Sequence, residues 1–122
     1  MKFAQDSQNE GYVITAYDDS GVSVNGKPFT QSLIITTTEL DENWAVPSIT
    51  SLQPDHIERV LSFDPELIII GTGTKLVFPA VEMYSNIIQH GIGVDFMDTH
   101  AACRTYNILM SEGRNVVAGL IL

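Results

Sequence analysis

Leu67-Ile68-Ile69-Ile70 is an uninterrupted apolar, mostly β-branched run, bounded by an Asp64-Pro65 turn and by Gly71. With no polar side to show to water, it predicts a strand covered on both faces and central in its sheet. The flanking sequence supplies the covering elements. Pro54 suits a first helical position, and Ile57, Val60 and Leu61 recur at the spacing of one helix face, predicting a short helix that ends near Phe63. Pro79 opens a second predicted helix with an apolar stripe of Val81, Tyr84, Ile87 and Ile88, stopped by His90-Gly91. Residues 94–97 read as the next strand. Asp98 or Thr99 can cap a third helix reaching about Ser111, and residues 115–122 close the chain as an apolar strand. The later part therefore reads α-β-α-β-α-β.

The first third is β-structure. Residues 12–17 are rich in β-branched and aromatic side chains, and Val22 and Val24 alternate with Ser23 and Asn25. Asp18-Asp19-Ser20-Gly21 is the turn between these strands. Asn25-Gly26 tolerates positive φ and predicts a hairpin, followed by a third strand through Leu33-Ile34-Ile35-Thr36. The result is an antiparallel meander. Glu39, Asp41 and Glu42 cluster near Trp44 and read as a solvated loop beside an anchoring aromatic. No repeat or linker divides the chain. Residues 1–122 are expected to form one α+β domain, with the short polar segment 1–10 as its flexible part.

Charge excludes several functions. Among 122 residues, 15 acids stand against 6 bases for a net charge of -9. Nucleic acid and anionic lipid both require Lys or Arg at each phosphate contact, so nucleic-acid binding is not expected. The longest apolar run falls far short of the roughly 20 residues of a membrane helix, so no membrane insertion is expected either. Cys103 is the single cysteine and can form no internal disulfide. A reducing cytoplasm fits, and the opening Met1-Lys2-Phe3-Ala4-Gln5-Asp6-Ser7 shows no export signal.

Two motifs carry potential chemistry. Gly71-Thr72-Gly73-Thr74-Lys75 follows the buried strand, and its backbone N–H groups could cradle an anion, with Asp95 on the next strand in the place of a ribose-binding acid. The third glycine of a dinucleotide fingerprint is missing, because Leu76 stands there, and a tight structural turn accounts for the glycines equally well. The second motif is the stretch 98–107. On a helical wheel Ala102, Thr105, Tyr106 and Leu109 face the sheet, while His100, Cys103, Arg104 and Asn107 gather opposite. His100 and Cys103 lie one turn apart, the arrangement of an activated thiol nucleophile, with Asn107 one turn further on. Against this, the wheel assigns no second base and no oxyanion hole, so a half-buried structural cysteine is the competing reading. A zinc site would need four ligands, and His56 and His90 sit on other elements. Neither a metal nor a cofactor is expected. Glu112-Gly113-Arg114 reads as helix termination.

Taken together, residues 65–73, 91–99, Ala102-Cys103-Arg104-Thr105-Tyr106-Asn107 and Glu112-Gly113-Arg114 resemble, in order and spacing, the family known as domain of unknown function 498. That family of small bacterial and archaeal proteins includes the mitochondrial complex I assembly factor 3. The resemblance implies a three-layer β/β/α fold with mixed sheets. For function it implies a binding scaffold in respiratory-complex assembly and no established reaction. The expected partner is a protein, such as a membrane-protein complex under assembly, and the chain itself is a candidate homodimer. The resemblance also implies a shallow pocket lined by Gly71, Thr72, Gly73, Asp98, Thr99, Cys103 and Asn107. The alternative is a small-molecule or anion-binding protein, or an enzyme, using the residue 71–73 loop with Cys103 and His100.

Overall fold

The computed structural model describes residues 11–122, so the expectation for residues 1–10 falls outside the described residues. Asn25 and Gly26 take φ values of +50° and +86°, the left-handed pair that a two-residue hairpin turn demands. They join β2 (Gly21–Val24) to β3 (Lys27–Phe29), and with β1 (Ile14–Asp18) these form an antiparallel three-stranded sheet in the order β1-β2-β3.

The meander therefore closes with Lys27–Phe29, and not with the Leu33 segment as the sequence suggested. β4 (Leu33–Ile35) joins a second sheet instead, antiparallel to β8 (Val116–Leu120). The reason is burial: Leu33, Ile34 and Ile35 are fully enclosed, and a strand apolar on both faces needs cover on both. The second sheet has the order β5-β4-β8-β6-β7, where β5 is Leu40–Asp41, β6 is Leu67–Gly71 and β7 is Gly93–Met97. β6 is an interior strand as expected, but the centre of the sheet is β8, all five of whose residues are buried. Of the acidic cluster, Glu39 and Glu42 are exposed beside the buried Trp44, as expected of a solvated loop, and Asp41 is the exception. Asp41 lies in the edge strand β5, and its Oδ2 accepts from Arg59 Nε at 3.0 Å.

The described residues also contain three α-helices: α1 (Pro54–Leu61), α2 (Ser85–Gln89) and α3 (Thr99–Ser111). α1 opens on Pro54 and buries Ile57 and Val60. The second predicted helix is much shorter than its stripe implied. A single 3-10 turn, Val81–Met83, precedes α2, and Tyr84 between them departs from helical backbone at φ -128°, ψ 10°. There the Tyr84 ring packs against Phe96, centroids 4.9 Å apart. Ile87 is buried, whereas Val81 and Ile88 face solvent.

The two faces of the five-stranded sheet are covered differently. Alternate residues Ile69, Val116, Ala118 and Leu120 meet the meander and α3, and Ile68, Ile70, Val117 and Ile121 meet α1, α2 and Trp44. This is an α+β fold in three layers, with the meander and α3 on one face of the large sheet and α1 and α2 on the other, and each face buries its own apolar cluster.

Candidate functional site

β6, β7 and β8 run parallel and finish at one end of the sheet, near Gly71, Met97 and Leu120. In open α/β sheets, ligands collect outside this carboxyl end. Gly71 favours close packing there, because a Cβ at that position would lie 3.0 Å from Thr99 Cα and 3.1 Å from Ala102 Cβ, close enough that these neighbours would have to shift. The absence of that Cβ lets the first turn of α3 settle onto β6. Asp98 caps α3, its Oδ1 accepting from Ala101 N–H at 3.0 Å. Thr99 is thereby released for another task.

Thr99 Oγ1 donates to Ile121 O and accepts from Gly73 N–H, both at 2.8 Å. Thr99 N–H donates back to Gly73 O at 2.8 Å, and Thr72 N–H donates to Met97 O at 2.8 Å. Thr72 Oγ1 donates to Lys75 O at 2.6 Å and accepts from Val77 N–H. The loop's N–H groups at residues 72 and 73 are thus spent on the protein itself. Gly71, Thr72, Gly73, Asp98 and Thr99 do come together, but as a stitch between three elements and not as an open anion cradle.

The reactive stripe separates in space. Cys103 is fully buried, in the same cluster as Ala102 and Tyr106. Burial, and secondarily the nearby Asp98 charge, push its thiol up to about 12. His100 lies at the surface instead, its ring 5.1 Å from Tyr17 and its Nε2 3.4 Å from Asp19 Oδ1. Asn107 is also engaged: its Nδ2 donates to Ile14 O at 2.7 Å and its Oδ1 accepts from Ile14 N–H at 3.0 Å. The wheel placed Cys103 and Asn107 on an outward face because it assumed one covered side. α3 is in fact held between β6 and β8 on one side and β1 on another, so two stripes are covered.

Of the expected pocket, Gly73 and Thr99 border a hollow shared with Asp18, Asp19, Thr74 and His100, and its volume of about 40 Å³ holds a few waters at most. A larger cleft of about 480 Å³ opens between Thr30, Ser32, Glu42, Asn43, Trp44 and Pro47. The acidic cluster beside Trp44 was its one visible signal. A second unforeseen feature is an exposed apolar segment. Leu76 (50%), Val77 (39%), Phe78 (65%), Val81 (54%) and Ile88 (53%) all face solvent. Residues 76–78 follow neither strand nor helix period, so periodicity could not assign them a buried face. Among the described residues no group of three or more His, Cys, Asp or Glu side chains is placed to hold a metal, and no helix is long and apolar enough to cross a membrane.

A reactivity prediction follows from Cys103. In the native state it should alkylate far more slowly than a free thiol at pH 7, reaching full labelling only in denaturant. The raised thiol pKa stabilises the fold below pH 9.0, the ordinary value, and this contribution declines as pH rises from there towards 12. Stoichiometric labelling of folded protein at pH 7 would contradict the buried assignment.

Residues 14–121 match the family described as "Protein of unknown function (DUF498/DUF598)". The chain belongs to this family. It is 38% identical over 89 residues to the "13 kDa major membrane protein" of Francisella tularensis subsp. holarctica, covering 72% of both chains. It is also 29% identical over 124 residues to the Danio rerio "NADH dehydrogenase (ubiquinone) 1 alpha subcomplex assembly factor 3", spanning 99% of this chain and 70% of the relative. A crystal structure of a Bordetella parapertussis protein superposes with a TM-score of 0.85 at 33% identity, covering 89% of this chain and 93% of that one. Family membership and fold therefore agree with the layered architecture.

Proposed function

We propose that this protein is a non-enzymatic binding module that holds a partner protein while a larger complex is assembled. By likeness to the assembly factor of Danio rerio, the complex is an NADH dehydrogenase. The observation that carries this reading is the exposed apolar segment at residues 76–81, with Phe78 65% exposed. Clustered apolar side chains in water are the usual mark of a protein contact, and an exposed aromatic is the commonest anchor. The buried, protonated Cys103 thiol and the self-bonded residue 71–73 loop support a binding role over catalysis. The lone cysteine suits work on the cytoplasmic side of a membrane complex.

Deletion in the source cell, followed by complementation, tests this reading. Wild type and Ile108→Asp, an exposed apolar position on α3, should restore the level of assembled NADH dehydrogenase on native gels. Phe78→Asp should not, with partner binding weakened about thirtyfold and the melting temperature of the isolated protein little changed. Normal assembly after deletion, or equal rescue by Phe78→Asp, would overturn the proposal.

A further inference from the structure

We infer that the outer edge of β7 is a docking edge for an extended segment of a partner protein, apolar on one side and carrying Lys or Arg on the other. The inference rests on the binding-module reading and names the chemistry of the partner.

β7 ends the five-stranded sheet, and among the described residues no strand pairs with its far side. Gly93 N–H donates to Glu66 O, and Met97 O accepts from Thr72 N–H. In a parallel pair this means that residues 93, 95 and 97 direct their backbone groups to β6. Val94 and Phe96 therefore direct N–H and C=O outward, two donors and two acceptors in the arrangement that recruits another strand.

The two faces along this edge differ in character. Val94 and Phe96 belong to the apolar cluster of α1 and α2. Phe96 meets the rings of Phe78 and Tyr84 at 6.2 and 4.9 Å, so the exposed Phe78 continues the apolar surface out into solvent. Asp95 lies on the opposite face, exposed and without an ion pair among the described residues. A strand laid against β7 alternates its side chains between these faces, apolar groups towards Phe78 and the others beside Asp95.

Charge decides against a second copy as the occupant. Two β7 strands paired antiparallel over their full length place Asp95 opposite Asp95 in a non-hydrogen-bonded pair, where side chains are closest. Like charges directly opposite repel, and a net charge of -9 on each chain adds to the repulsion. A Lys or Arg in that place turns the same geometry into attraction.

The test uses the full chain and three synthetic octapeptides: alternating Val and Lys, alternating Val and Glu, and the Val-Lys peptide N-methylated at the residues that would face β7. Binding is read by fluorescence anisotropy, and pairing by hydrogen exchange of the Val94 and Phe96 amides. The Val-Lys peptide should slow both amides and its N-methylated form should not. Asp95→Lys should weaken the Val-Lys peptide about fivefold and favour the Val-Glu peptide. Equal binding of the N-methylated peptide, or indifference to Asp95→Lys, would overturn the inference. So would concentration-dependent protection of these amides in the protein alone, which would make a second copy the occupant. In the complementation assay, full rescue by Asp95→Lys beside failure of Phe78→Asp removes the edge and leaves the binding module standing. A deletion without effect removes the module instead, and the peptide result then judges the edge separately.

Discussion

Trp44→Ala should destabilise the protein by about 3–5 kcal/mol, the range for losing a large buried aromatic. Trp44 is 3% exposed and belongs to the apolar cluster beneath the large sheet. Its ring lies across β8 at Gly119, where a Cβ would fall 2.7 Å from Cη2. Its Nε1–H donates to His56 O at 3.2 Å, tying α1 to the sheet. The same contact makes Gly119 a position where no side chain fits. Gly119→Ala should cost about 1–3 kcal/mol through overpacking, and much less when Trp44 is already Ala, because the added methyl then occupies vacated space. Urea unfolding of the two single variants and the double variant forms a cycle with a coupling of about 1 kcal/mol or more. If the two losses simply add, the ring does not rest on Gly119.

Asn107→Ala should cost about 2–4 kcal/mol, because it strips the Ile14 N–H and C=O of their partner while Ile14 stays in the core. These backbone groups are available to α3 because the pairing of β1 with β2 shifts register between Ile14 and Ala16. Tyr106 adds a second tie, its hydroxyl donating to Tyr12 O at 2.7 Å. The loss should be local. In native-state hydrogen exchange the meander amides of β1 and β2 should lose protection well before those of β6 and β8, since only the small sheet loses its anchor. Uniform acceleration across both sheets would argue that Asn107 supports the whole core and not the docking of one layer.

Much of this architecture was legible in the chain because its signals are local. The Asn25-Gly26 hairpin, the Pro54 helix start, the Asp98 cap and the buried β6 strand each depend on a few neighbouring residues. The failures were also physical. The Leu33 segment was assigned to the meander because it follows two hairpin strands, yet its double-sided burial required β8, 83 residues later at Val116. The stripe from Val81 to Ile88 looked helical, but Tyr84 leaves helical geometry and packs against Phe96.

The candidate site divides along the same line. Sequence alone identified residues 71–73 and 98–107 as special, because close packing and capping confine those positions to particular residue types, and the resemblance they carry implied the family and its layered fold. It could not tell what the special residues face. Thr99, Cys103 and Asn107 are equally suited to a pocket, a reactive stripe or an internal stitch, and a helical wheel supplies direction without depth. Tertiary structure decided in favour of the stitch by setting β1 against a second side of α3, which buries the thiol and occupies the amide. It also left Leu76, Val77, Phe78 and Val81 facing solvent and, among the described residues, the far side of β7 without a paired strand, because exposure depends on which distant segments arrive to cover a surface, and that information is not held in any local run of residues.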